Sequence, residues 1–174
     1  MLKSRRVRAI AVVLAAGILA AGAVVVVTAN NGKDELADVK KAVNKYRDPA
    51  DAKLAGWDLV EGLDHCFESE TGAMGIHYIN LELLRNTDLD PLKPEALVYQ
   101  HLPNGKLQLG AVEYIVPMDL WEAEGHEGMP MLHGEHFHPN EALGVWVLHA
   151  WIFKNNPDGM FEDWNPKVTC PPAS

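Results

Sequence analysis

Three polar side chains interrupt otherwise apolar runs: His77 in the string Met74-Gly-Ile-His-Tyr-Ile79, Glu113 within residues 106–116, and His149 within residues 144–154. Each run reads as a β-strand, and side chains on a strand alternate between its two faces. Alternation puts Glu113 on the face of Leu107, Leu109, Ala111 and Ile115. It puts His149 with Val145, Val147, Trp151 and Phe153, and His77 with Ala73, Gly75 and Ile79. A carboxylate among apolar neighbours is costly unless it is paired, hydrogen-bonded or bound to a cation. Two imidazoles and one carboxylate that converge form a ligand set for zinc with an open position, or for copper or non-haem iron. The plainer alternative is a buried Glu–His hydrogen-bonded pair of purely structural use.

A second group lies in the loop 117–140. It holds His126, His133, His136 and His138, four of the eight histidines, interleaved with Met129, Met131, Glu127 and Glu135. Imidazole with thioether favours copper. The loop can act as a cover that lends one histidine to the strand site, or it can be a solvated loop whose histidines bind nothing. Other signatures fall short. His126-Glu127 lacks the second histidine of a helical zinc motif, and Gly128 and Pro130 would break that helix. His133-Gly-Glu135 has no matching cysteine pair downstream. There is no nucleophile elbow and no glycine-rich phosphate loop. Trp146, Trp151, Phe153, Phe161 and Trp164 supply either core or the wall of a small-ligand site, sugar-like or apolar.

The elements that must position these groups follow from pattern. Leu36, Val39, Ala42, Val43 and Tyr46 recur at helical spacing, which predicts a helix from Asp34 to Arg47. Asp48-Pro49 starts a second short helix, with Asp48 as its N-cap and Pro49 in its first turn. The rest is strand-like. A hairpin joins residues 95–101 to 106–116 through Pro103-Asn104-Gly105. The run 144–154 reads as a central strand buried on both faces. Together these predict an α+β domain over residues 30–174: N-terminal helices, then an antiparallel β-sheet or partly closed β-barrel.

Two further features bear on location. Lys3, Arg5, Arg6 and Arg8 precede a charge-free run from Ala9 to Ala29. A basic flank before an apolar stretch stays on the cytoplasmic side and sends the rest of the chain across. Residues 1–29 therefore read as a signal peptide cut after Val27-Thr28-Ala29, or as a retained membrane anchor. Membrane contact is then limited to residues 9–29, if uncleaved. All 24 acidic residues follow that segment, against 11 of the 15 basic ones, within a net charge of −9 for the whole chain. Such a balance argues against nucleic acid as a partner. Cys66 and Cys170 are the two cysteines, and in an oxidising compartment they read as one disulfide.

Several strings taken together resemble a group of exported bacterial proteins with no assigned reaction. They are Tyr46-Arg-Asp48, Gly72-Ala-Met-Gly-Ile-His-Tyr-Ile-Asn80, Pro94-Glu-Ala-Leu-Val-Tyr99, Val112-Glu-Tyr114, His149-Ala-Trp151, Asn156-Pro-Asp-Gly-Met-Phe161 and Asn165-Pro166. The resemblance implies one extracytoplasmic domain, secreted or tethered, and a bacterial source. It transfers no functional residue. The expectation is an exported protein that binds a divalent transition metal, zinc or copper, through His77, Glu113 and His149. The alternative is a structural or small-ligand-binding β-rich module without metal. Neither names a reaction or a protein partner.

Overall fold

The structure is a computed structural model that describes residues 31–172. The expectations of export, cleavage and anchoring fall on residues 1–29 and lie outside the described part. Among the described residues, no helix is long and apolar enough to cross a membrane.

Helix α1 (Asn31–Val43) leads through a 3-10 turn (Asn44–Tyr46) into α2 (Pro49–Leu54). Val39 and Val43, one helical turn apart, are buried on the inner side of α1. The Asp48 carboxylate accepts the Ala50 amide at 2.9 Å and caps α2, and Pro49 occupies its first turn, where no amide is needed. The strands follow: β1 (Phe67–Ser69), β2 (Gly72–Ile79), β3 (Ala96–His101), β4 (Leu107–Pro117), β5 (Met131–Leu132), β6 (Glu135–His136), β7 (His138–Asn140) and β8 (Val145–Ala150). Six of them form one antiparallel sheet in the order β1-β2-β3-β4-β8-β7, and β5 and β6 make a separate hairpin. The mixed helix-and-strand class and the antiparallel sheet agree with the sequence. The helices are not confined to the N-terminal side, however, because α3 (Met118–Ala123) follows β4. The sheet curls like half a barrel and stays open, with β1 and β7 at its edges.

Its two faces differ. On one, Tyr78, Leu97, Tyr99, Val112, Tyr114 and Leu148 pack against Val39, Val43 and Ala52 of the helical layer and against Trp57 just after α2. Tyr99 and Tyr114 send their hydroxyls to the carbonyls of Tyr46 and Pro91, so neither buries an unmet donor. The other face carries two smaller apolar groups, Ile79-Ala96-Ile115-Val147 and Ala73-Val98-Ala111-Trp151-Val168. The polar residues His77, Glu113 and His149 are buried on this second face.

A bulge corrects one detail of the face assignment. Val98 pairs with Ala111, but Tyr99 pairs with Leu109, so Gly110 is an extra residue in β4. Its carbonyl accepts the amides of Phe153 and Lys154. One extra residue inverts the alternation. Leu109 therefore joins the helix-side core, and Glu113 keeps only Ala111 and Ile115 as apolar companions on its own face.

The C-terminal tail is strapped across the edge of β2. Ala73 and Asn165 exchange both backbone hydrogen bonds, at 3.1 and 3.2 Å. Gly72 permits this approach: its φ is +147°, and a Cβ there would stand 2.5 Å from the Asn165 carbonyl carbon. Trp151 Nε1 donates to the Glu162 carbonyl at 2.6 Å, and Asn156 Nδ2 donates to the Trp164 carbonyl at 2.9 Å. A disulfide between Cys66 and Cys170, 104 residues apart, holds the end of the strap.

Glu95, just before β3, is buried and accepts the Ile115 amide at 3.0 Å, where the ladder between β3 and β4 has run out of backbone acceptors. Burial pushes its carboxyl up to about 8 from an ordinary 4.5; the Ile115 hydrogen bond opposes the rise, and nearby Glu113 and Asp90 add to it.

Two outcomes follow from these contacts. Replacing both cysteines by serine lowers unfolding free energy by roughly 2–5 kcal/mol in denaturant titration, because a closed loop of about 100 residues restricts the unfolded chain. An unchanged midpoint would show that the strap holds without its bond. Glu95 keeps a proton that the unfolded chain releases near pH 4.5, so stability falls as pH rises from there to about 8 and levels off above. Glu95→Gln retains the acceptor for Ile115 and flattens that slope in melting curves taken from pH 5 to 8. An equal slope in both proteins would contradict the assignment.

Candidate metal centre

Register brings the three residues together. Glu113 in β4 and His149 in β8 are direct cross-strand partners, so their side chains leave the same face side by side. His77 comes from β2, two strands away from Glu113, with β3 between them. There the intervening residues on the same face are Ala96, paired with Glu113, and Val98, paired with His77. Both are small, so His77 and Glu113 can lean over β3 and meet. One potential ligand atom from each of His77, Glu113 and His149 lies within 4.8 Å of the other two.

The individual distances are 3.4 Å between His77 Nε2 and His149 Nε2, and 3.4 Å between His77 Nε2 and Glu113 Oε2. On the far side of its ring, His149 Nδ1 stands 3.4 Å from Asp163 Oδ1 and 3.5 Å from Glu113 Oε1. All four are long for hydrogen bonds, which cluster at about 2.7–3.2 Å. At Nδ1 of His149 neither carboxylate is aligned, and Nδ1 of both His77 and His149 is buried without a partner. Each such orphan costs about 1–3 kcal/mol. A purely structural Glu–His pair would close these gaps. A tetrahedral ion with bonds of about 2.0–2.1 Å spaces its ligands about 3.3–3.4 Å apart. The two separations at His77 Nε2 match that spacing, and the set as a whole lies within 4.8 Å, so closing the Glu113–His149 edge onto one ion takes only a small movement.

Electrostatics fit the same picture. Burial holds His77 down to about 3, helped by the neighbouring His149 and His65, so its ring is neutral with a free lone pair. Burial raises the Glu113 carboxyl, against the pull of His149 and with the push of Asp163. For His149, burial works against the charged ring, but Glu113 and Asp163 outweigh it and its pKa rises. Burial would likewise raise Asp163, yet His149 and His138 together bring it below its ordinary value. The site thus pairs a neutral His77 ring with two carboxylates that favour a positive charge on His149; a bound cation would take the place of that proton.

Asp163 had no signal of its own in the sequence, since the tail that carries it has no periodicity. The indirect signal was the pairing of Cys66 with Cys170, which draws the tail toward the strand that carries His77. The loop histidines separate. His138 donates toward Asp163 at 3.1 Å and so reaches the site through that carboxylate. His133, at φ 54°, is enclosed between Tyr114 Oη and Glu35 and ties the loop to α1. His126 stacks on Trp121 and contacts Thr87. His136 is exposed on the β5–β6 hairpin opposite Met131. Residues 126–136 therefore bring no ligand to the strand site.

A cavity of about 660 Å³ opens beside His77 and Glu113, with His149 buried behind them. His77, Glu113 and Asp163 line it, with Ile115, Val145 and Val147 of the sheet, Leu63 and Phe67 from the segment entering β1, and Trp164 of the tail. Residues 139–143, the end of β7 and the start of the turn to β8, form its rim, so this segment covers the site where the histidine-rich loop was expected to. Of the aromatics proposed for a ligand wall, Trp164 is at the cavity, while Trp151 belongs to the packed core.

No protein-family model, curated protein or solved structure matches the chain, so its chemistry rests on this geometry.

In metal-free protein the His77 ring should show no titration between pH 5 and 8 when its carbon-bound protons are followed by NMR. An inflection in that range would mean that the ring is not held neutral.

Proposed function

We propose that this chain is an extracytoplasmic metal-binding domain in which His77, Glu113 and His149 hold one divalent transition ion. The observation that carries the reading is the pair of 3.4 Å separations at His77 Nε2, too long for good hydrogen bonds and matched to the edges of a tetrahedral site. Zinc suits the set best: its ligands are nitrogen and oxygen, and both cysteines are consumed in the disulfide. Copper is the second candidate. Three protein ligands leave a coordination position open, the pattern of catalytic zinc rather than of closed structural sites. Asp163 is a positioning residue. Its carboxylate stands 3.4 Å from the outer nitrogen of His149, where a small shift on metal binding would close the hydrogen bond that carboxylates make behind metal-bound imidazoles.

The disulfide supports an oxidising compartment. Together with the basic and apolar start of the chain and its likeness to exported bacterial proteins, it favours secretion or tethering outside the cytoplasm. A metal-free, ligand-binding module is the second reading, and the cavity is the observation that favours it.

Elemental analysis of protein purified without an affinity tag should find about one zinc or copper per chain, absent from His149→Ala. Asp163→Asn should keep the site and weaken affinity about 10–100-fold. Added zinc at about a hundred times its dissociation constant should stabilise the wild type by about 2.7 kcal/mol. Absence of bound metal, with no melting shift on adding zinc or copper, would sink the proposal.

A further inference from the structure

We infer that the cavity beside the centre binds a small amphipathic acid, with an apolar body against the walls and a single carboxylate at the metal's open position. This deepens the metal reading and rests on it. Three observations carry it. First, the cavity, at about 660 Å³, falls within the range of about 300–1,000 Å³ typical of small-molecule sites. Second, its surroundings are sharply divided. Leu63, Phe67, Ile79, Ile115 and Val147 present hydrocarbon, while the polar lining falls into two groups, the buried His77 and Glu113 with Asp163, and Asn140 and Glu141 at the rim. An apolar body with one polar end matches that division; a sugar would leave its hydroxyls unmet along the hydrocarbon walls. Third, His77 and Glu113, two of the three proposed ligands, line the cavity, so a coordination position left open on the ion can face it.

Charge selects the head group. A divalent ion bound by Glu113 retains one positive charge, which a monoanion neutralises, because Asp163 is engaged by His138 at 3.1 Å. Without the ion, the same head group would face Glu113 and Asp163, both carboxylates lining the cavity, and would be repelled. Affinity for the acid is therefore tied to the metal, whereas affinity for a neutral apolar molecule is not. The exposed Leu143 on the rim lies where the body of the ligand would leave the cavity.

Fluorescence of the neutral dye N-phenyl-1-naphthylamine, followed by displacement with decanoate, separates these contributions. Zinc content is measured on the same samples of full-length protein. Zinc-loaded and chelator-stripped protein should both bind the dye. Decanoate should displace it from the loaded form at a concentration at least about tenfold lower than from the stripped form. Leu143→Asp, an exposed substitution that should not disturb folding, should weaken dye and decanoate several-fold. A dye that binds neither form, or decanoate that displaces it equally from both, overturns the inference while zinc content upholds the metal centre. Protein that binds no zinc overturns the metal reading and the head-group assignment with it.

Discussion

The pairing of Glu113 with His149 across β4 and β8 is the contact on which the rest of the site depends. It places a buried carboxylate and a buried imidazole side by side on one sheet face. Neither could stay there alone, because an unpaired buried charge is among the costliest things a fold can carry. His77 reaches the pair only because Ala96 and Val98 keep the intervening strand low. A larger residue at Ala96, which is fully buried, would fill the space in which the three side chains meet. The small residues of β3 are therefore as much a part of the site as the ligands.

The tail and the disulfide complete what the sheet begins. Residues 156–170 add no strand to the main sheet, yet they carry Asp163 behind His149 and Trp164 into the cavity wall. Their hold is made of backbone bonds at Ala73, tryptophan and asparagine donors, and the Cys66–Cys170 bond. Such a strap has little apolar surface of its own, since Val168 is its one fully apolar buried side chain among the described residues. Directional bonds and a covalent tie replace hydrophobic burial there. That choice suits a segment whose task is to fix one carboxylate in place.

The two faces of the sheet divide the work. The face under α1 and α2 is packed with tyrosine, leucine and valine, and its tyrosine hydroxyls are satisfied. It supplies most of the apolar burial that favours folding. The opposite face is covered by loops and keeps a cavity instead of a second core layer. It also retains unpartnered imidazole nitrogens. A protein selected for stability alone would fill such a space and satisfy or remove such groups. Their presence on one face only, beside a stable opposite face, is the pattern of a site supported by a scaffold.

Much of this was legible from residue types alone. Alternation in three short strands put His77, Glu113 and His149 on inward faces, because a polar residue inside an apolar run leaves few other readings. The two cysteines allowed a single pairing within the chain, and Asp48-Pro49 marked the start of α2 because capping is a local event. The distances between the three residues were not legible, because strand order and register are decided by partners far away in sequence. The bulge at Gly110 depends on how β4 fits both β3 and the segment after β8, and no local pattern encodes it. Asp163 and the cavity were hidden for the same reason. The sequence by itself determined which side chains had to find partners once buried; only the tertiary structure decided which partners they found, because proximity across a sheet is set by register and not by spacing along the chain.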